Sequence, residues 1–265
     1  MCNIVIVGGD KRQRVMAKIL NEKGFNVSFY SSGKTRFSSE DIVILPIPVT
    51  RDRIHITTDL KDAPIGLEEI LPQLSKAKAV IGGVFNNEFV IDIAKRDDFA
   101  YYNAVPTAEG AISLAINNTD TTLWNSKILV CGFGRVGKIL VSRLKGFSPK
   151  LYVSARNNTD FSLLDCDGIK RIETKAIQEH INKFDIVFNT VEAKIFDNNV
   201  LSKARKDTLF IELATANAGF CEKSVYEHSI RLIEAPSLPG KTAYVTAGQI
   251  VAQTILNVLR EKQLY

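Results

Sequence analysis

The stretch ILVCGFGRVGKILVSRLKGFSPKLYVSARN, residues 128–157, constrains this chain more than any other part of it. An apolar run leads directly into Gly132-Phe133-Gly134-Arg135-Val136-Gly137, an amphipathic segment over 138–145 follows, and a second β-type run ends near residue 154. Gly132 permits a tight turn, Gly134 lets the backbone approach a pyrophosphate, and Gly137 allows the helix to close on its strand. The N–H groups at the helix start then face the phosphates. A GxGxxG alone is a weak signal, but strand, turn, helix and second strand at these spacings predict a dinucleotide site through residues 132–137.

In an NAD-binding unit of this kind, an Asp or Glu at the end of the second strand bonds the ribose 2′-hydroxyl. Here Ser154-Ala155-Arg156-Asn157 stands in that place. A carboxylate repels a 2′-phosphate, whereas an Arg engages it through paired hydrogen bonds and stacks on adenine. The expectation is NADP(H) rather than NAD(H), read by Ser154 and Arg156 with Asn157 beside them. A solvated Arg156 and relaxed selectivity is the alternative.

This unit stands in the middle of a chain of 265 residues, long enough for two domains of roughly 100–150 residues each. Short apolar runs alternate with longer amphipathic stretches throughout, the pattern of parallel β-α-β units. Strands are expected near 4–7, 27–30, 42–45, 79–81 and 100–102, and then near 127–131, 151–154, 170–172, 186–189, 209–213 and 230–233. The predicted fold class is α/β, with two doubly wound, Rossmann-like parallel sheets and a cleft between them. The first domain takes residues 1–105 plus a returning C-terminal helix, 245–265; a bridging helix covers 106–122; the cofactor domain takes 123–244. Pro106-Thr107 is the expected start of the bridging helix. The last helix carries Ile250, Val251, Thr254, Ile255 and Val258 on one face and needs an apolar partner.

The first domain opens with its own strand and Gly8-Gly9-Asp10-Lys11-Arg12-Gln13, which lacks a third glycine and is a poor dinucleotide turn. Asp10 suits a helix N-cap, but Lys11, Arg12 and Arg14 crowd the positive end of the helix dipole. An anionic substrate group facing the nicotinamide would compensate them; three solvated basic side chains is the bland alternative. The linker adds Asn103, Thr107 and Glu109, the last either a general base or a favourable first-turn carboxylate. His55, His180 and His228 are expected at the surface or the core edge.

The net charge of +5 is spread without a basic block, so a small anion is a more economical partner than nucleic acid. Cys2, Cys131, Cys166 and Cys221 lie far apart, with no His at metal-ligand spacing; they read as reduced thiols in a cytoplasmic protein, without metal. No apolar stretch approaches the ~20 residues that span a bilayer, and no signal-type segment follows Met1.

Six segments in order, GGDKRQ (8–13), RDDFAYYNAVPTAEGAISLAINNTD (96–120), GFGRVGK (132–138), SARN (154–157), APSLPGK (235–241) and TAGQI (246–250), resemble the dipicolinate synthase A-chain family over nearly the whole chain. The resemblance implies an oxidoreductase of spore formation, acting in the mother-cell cytoplasm at a branch of the lysine pathway. Its substrate would be dihydrodipicolinate or the hydroxy-tetrahydrodipicolinate precursor, a small dicarboxylate, oxidised to dipicolinic acid with a nicotinamide cofactor. A separate B subunit is the implied partner, and a homo-oligomer is also open. On these motifs Asp10, Arg12, Gln13, Asn103, Thr107, Lys241 and Thr246 fall on the substrate side, and Asn189 and Thr190 join residues 132–137 on the cofactor.

The chain departs from the family pattern in three places. Ala216-Asn217-Ala218-Gly219 replaces Arg-Pro-Gly-Gly, removing one candidate carboxylate-binding Arg. Glu192 replaces a Pro close to where nicotinamide should lie. Tyr244-Val245 replaces Pro-Lys, with Lys241 as a candidate replacement charge. These changes keep two alternatives open: an NADP-linked oxidoreductase of another cyclic imine or oxo-acid, and a dinucleotide-responsive subunit without turnover.

Overall fold

The computed structural model describes residues 2–59, 64–214 and 219–265. The chain forms two compact units, Met1–Asn103 with Pro239–Tyr265, and Ala104–Leu238.

The first unit is built on a five-stranded parallel sheet: β1 (Asn3–Ile6), β2 (Asn26–Phe29), β3 (Asp41–Ile44), β4 (Ala79–Gly82) and β5 (Val90–Asp92), in the order β2-β1-β3-β4-β5. Side chains alternate across a strand, and in a parallel sheet both faces are covered, so strands read as unbroken apolar runs. Ile4, Ile6, Ile42 and Ile44 enter one core with Met16 and Leu20 of α1 (Lys11–Glu22). Val5, Val7, Val43 and Leu45 enter the other, under Ile70 and Leu74 of α2 (Leu67–Leu74).

The expected strand at 100–102 is not a strand. It lies inside α3 (Asp97–Asn117), and the sheet's edge is β5 instead. Two carboxylates, Asp97 and Asp98, occupy the first turn of α3, where the helix dipole favours negative charge. Pro106 sits inside this helix rather than at its start. A proline there removes one backbone donor toward residue 102, and Tyr102 is exposed, where water can serve its carbonyl.

The second unit carries a six-stranded parallel sheet of β6 (Lys127–Cys131), β7 (Lys150–Ala155), β8 (Lys170–Glu173), β9 (Ile186–Asn189), β10 (Leu209–Glu212) and β11 (Arg231–Glu234). Its order, β11-β10-β9-β6-β7-β8, is the doubly wound 3-2-1-4-5-6 arrangement read from the far edge. Helices α4 (Arg135–Lys145), α5 (Asn158–Cys166), α6 (Asn198–Leu201) and α7 (Glu222–Glu227) connect the strands. Ile128, Val130, Phe188 and Ile211 bury one face with Leu140 and Leu144 of α4, while Leu129, Val187 and Phe210 bury the other with Phe184 and Phe196. Cys131 belongs to that second core, and burial pushes its thiol up to about 12, which leaves it unreactive.

The chain leaves the second unit through α8 (Leu238–Thr242), and α9 (Tyr244–Glu261) then covers the first sheet. Val251, Ile255, Val258 and Leu259 of α9 are fully or nearly fully buried with α1. Each such aliphatic side chain stabilises the fold by about 1.5–3 kcal/mol relative to exposure. Gly248 makes the approach possible, since a Cβ there would lie 2.7 Å from the Cβ of Val15. Arg96 ties the start of α3 to the end of α9, donating to both Asp98 carboxylate oxygens at 2.9 Å and to Glu261 at 2.6 and 2.8 Å. No helix among the described residues is long and apolar enough to cross a membrane.

Candidate functional site

The turn after β6 lies at the centre of the second sheet, between β6 and β9, where the strand order reverses. Such a switch point opens a crevice at the carboxyl ends of the strands. Gly132 has φ +92°, and a Cβ on it would lie 2.5 Å from Thr190 Oγ1. A Cβ on Gly137 would fall on the carbonyl oxygen of Gly132. The fold itself therefore requires the first and third glycines. Gly134 differs: it is the N-cap of α4, no side chain caps the helix there, and nothing lies within 4 Å of a Cβ built on it. An open backbone at a helix start without a side-chain cap fits a pyrophosphate, whose oxygens would accept from the first-turn N–H groups of Arg135, Val136 and Gly137. Phe133 flanks the turn beneath the Lys138 ammonium, 5.4 Å from its ring centroid. Thr190 donates from N and Oγ1 to the Cys131 carbonyl, at 2.9 and 2.8 Å, and so fastens the end of β9 to β6.

At the end of β7 the expected readers separate. Arg156 is exposed and lines a cavity of about 490 Å³ with Thr174, Lys175 and Lys194. Ser154 is fully buried beside the Cys131 thiol, and its backbone carbonyl accepts from Gly132 N at 3.0 Å; its hydroxyl stays inside the sheet. Asn157 is the N-cap of α5, accepting from Asp160 N at 2.8 Å while its amide donates to the Asp160 carboxylate. Of the three, Arg156 alone presents its charge to the cavity.

Asn189 is likewise internal. Its amide donates to both carboxylate oxygens of Glu212 (2.9 and 3.0 Å) and to the Val191 carbonyl (3.2 Å), while its Oδ1 accepts from Val191 N (3.1 Å). Glu212 ends β10 and also accepts from Ala214 N at 2.8 Å. Burial raises the Glu212 pKa against these hydrogen bonds. This pair, which links the ends of β9 and β10, was not singled out from the sequence. The signal is there, in an acid closing the otherwise apolar run Leu209-Phe210-Ile211.

In the first unit, the turn after β1 satisfies itself. Asp10 caps α1, accepting from Arg12 N at 2.9 Å, and Gln13 Oε1 returns the bond from Asp10 N at 2.8 Å. The Arg12 guanidinium, 7 % exposed, donates to both Asp10 oxygens and to the Ile47 carbonyl at 2.9 Å. Burial alone would raise the Asp10 pKa, but the Arg12 hydrogen bonds and charge hold it below the ordinary value. Within this turn Asp10 supplies the anion that compensates Arg12. Arg14 lies 3.6 Å from Asp59, and Lys11 lies over the Tyr244 ring at 5.4 Å. The glycine of the APSLPGK segment, Gly240, packs on the same turn: a Cβ there would sit 3.2 Å from Arg12 Nε and from Asp10 Oδ2.

Lys241 is exposed near the end of α8, and Thr246 is exposed in the first turn of α9. Asn103 and Thr107 lie four residues apart on α3, on one helix face. Glu109 is beyond the first turn of α3 and is exposed, with Arg143 Nε 3.3 Å from its carboxylate. Glu192 is exposed. Ala216, Asn217 and Ala218 lie outside the described residues. The three histidines have local partners: His55 with Asp52, His180 with Lys183 and His228 with Asn198.

Comparison with known proteins agrees with this architecture. Residues 3–104 match the family described as the N-terminal domain of the dipicolinate synthase A subunit. The dipicolinate synthase A subunit of Bacillus subtilis (strain 168) is 30 % identical over 286 residues, covering 98 % of this chain and 96 % of the relative. The crystal structure of the dipicolinate synthase A subunit from Bacillus halodurans superposes with a TM-score of 0.89 at 26 % identity, over 97 % of each chain. An NAD-dependent formate dehydrogenase from Staphylococcus aureus, solved in complex with NAD, shares the fold alone, with a TM-score of 0.57 at 15 % identity over 97 % of this chain and 94 % of that one. Sequence match and fold together establish that the chain belongs to the family of dipicolinate synthase A subunits.

Proposed function

We propose that this dinucleotide-dependent dehydrogenase uses NADP(H) in preference to NAD(H) and oxidises a ring-reduced pyridine-2,6-dicarboxylate to dipicolinate. The observation that carries the cofactor reading is the end of β7, where no acid stands and Arg156 is exposed to a cavity without an ion-pair partner among the described residues. A 2′-phosphate supplies the anion that such a guanidinium binds best.

Support for the substrate reading comes from the family, through the Bacillus subtilis relative named as the A subunit of dipicolinate synthase. A bound nicotinamide would supply the hydride acceptor, and a dihydropyridine ring that loses that hydride and one proton becomes aromatic. The task left to the protein is orientation and charge matching rather than strong base catalysis. The turn at 132–137 and the start of α4 would hold the pyrophosphate, and Arg156 the 2′-phosphate. Asn103, Thr107, Lys241 and Thr246 are the substrate-side candidates, because Asp10, Arg12 and Gln13 satisfy one another. A role in spore formation and a partner B subunit belong to the same proposal.

The test is stoichiometry. Reduced pyridine dicarboxylate, generated freshly in the cuvette, is mixed with the protein and NADP⁺, and dipicolinate and NADPH are followed by their separate ultraviolet bands. One NADPH per dipicolinate supports the reading; dipicolinate without NADPH, or neither product with and without a B subunit, contradicts it.

A further inference from the structure

The cavity at the ends of β7 and β8 is lined by two cations that have no ion-pair partner among the described residues. Its wall includes Arg156 from the end of β7, Glu173, Thr174 and Lys175 from the end of β8 and the turn after it, and Lys194 and Asp197 from the segment between β9 and α6. Lys175 already has an anion, since its ammonium lies 2.9 Å from the Glu173 carboxylate. Asp197 is engaged as the N-cap of α6, accepting from Val200 N at 3.0 Å. Thr174 donates to the Ala155 carbonyl at 3.1 Å, which fixes the turn after β8 against the residue before Arg156. Neither Arg156 nor Lys194 has an ion-pair partner among the described residues, and both are exposed on the same cavity. With Glu173 paired to Lys175, the wall keeps two cations outside ion-pair distance of any described carboxylate against the single charge of Asp197, so the cavity is net positive and complementary to an anion. A phosphomonoester is close to dianionic at neutral pH, so one guanidinium leaves part of its charge uncompensated. None of residues 132–137 lines this cavity, so the two cations are distinct from the glycine turn.

We infer that Lys194 is a second reader of the adenosine 2′-phosphate and sets cofactor specificity together with Arg156. The inference rests on the NADP(H) reading above. It assigns the specificity of this chain to two loops, one after β7 and one after β9. The two cations differ in what they do. The Arg156 guanidinium supplies a planar fork of donors, and the Lys194 ammonium a compact point charge on a flexible stem that closes on the phosphate once it is bound.

The experiment is a set of fluorescence titrations of the full chain with NADPH and with NADH, for the wild type, Lys194→Gln, Lys194→Arg, Arg156→Gln and Lys175→Gln. Thermal melts accompany each variant, and Lys194 is exposed, so its replacement should leave the fold intact. Expected for Lys194→Gln is a loss of NADPH affinity of about tenfold or more, the effect of removing a charged hydrogen bond. NADH affinity should stay within about twofold of wild type in that variant, since the 2′-hydroxyl carries no charge to lose. Lys194→Arg should restore most of the preference, and Lys175→Gln should lower it less than Lys194→Gln does. Lys194→Gln weakening NADPH and NADH equally would overturn the inference, because Lys194 would then serve a part common to both cofactors. So would an unchanged preference in Lys194→Gln alongside a preference lost in Arg156→Gln, an outcome that leaves the NADP(H) reading standing. A wild type that binds both cofactors equally would overturn that reading itself, and the inference with it.

Discussion

Gly137 sits so close to Gly132 that the carbonyl oxygen of Gly132 already occupies the space a Cβ would need. The first turn of α4 thus rests on the end of β6 by contact between two backbones, and the turn at 132–137 owes its shape to that contact. Gly137→Ala should destabilise the second unit by about 1–3 kcal/mol through overpacking. Gly134→Ala should cost no more than about 1 kcal/mol, because its Cβ enters open space and only the N-cap preference for Gly over Ala is lost, yet should weaken dinucleotide binding by blocking close approach to the pyrophosphate. Denaturant titrations paired with cofactor titrations separate the two effects.

Arg12→Ala should act on stability rather than on the Michaelis constant. Removing the guanidinium leaves the Asp10 carboxylate half-buried beside α1 and the Ile47 carbonyl without its donor. Breaking a buried pair in this way typically costs about 3–5 kcal/mol, and the partial exposure of Asp10 puts the expected loss at about 2–3 kcal/mol. A urea midpoint reads it directly. A variant of unchanged stability with a raised substrate KM would instead return Arg12 to the substrate site.

The clasp of Arg96 with Asp98 and Glu261 gives a pH dependence of known sign. The Arg96 hydrogen bonds lower the Asp98 pKa from 3.8 to about 2. A carboxyl lowered in the folded state stabilises fully above its unfolded value, and the contribution disappears as pH falls through the folded value. Wild type should therefore lose stability as pH drops from about 3.8 to about 2. In Asp98→Asn that part of the loss should be missing, which a series of urea midpoints against pH would show.

Glu109→Gln should change kcat by less than about twofold, because the carboxylate is an exposed partner of Arg143 and such pairs contribute little. Steady-state kinetics at two pH values checks it. A loss of turnover of about tenfold or more in Glu109→Gln would restore Glu109 as the base.

Much of this architecture was legible in the chain because parallel strands buried on both faces appear as short unbroken apolar runs, as in Ile128-Leu129-Val130 and Ile186-Val187-Phe188. The fifth strand of the first unit was not. Val90-Ile91-Asp92 is three residues long and lacks turn residues directly at its ends, whereas Ala100-Tyr101-Tyr102 has strand-like composition but lies in a helix opened by Asp97 and Asp98. Pro106 obscured that helix further, since proline more often begins a helix than continues one. At the site, composition revealed the glycine turn and the missing acid but not which polar side chains turn inward. Ser154, Asn157 and Asn189 hold strand and helix ends, and Arg12 finds its counterion two residues away, facts of side-chain direction that spacing does not encode.

The cofactor and substrate assignments meet most directly in the ratio of kcat/KM for NADP⁺ and NAD⁺ in dipicolinate formation by the wild-type chain, measured side by side on freshly generated substrate. The expected result is cofactor-dependent product with NADP⁺ favoured by about tenfold or more, the usual effect of matching a charged group with a charge-assisted hydrogen bond. Equal ratios or a preference for NAD⁺, or no product from protein that still binds NADPH, would contradict it.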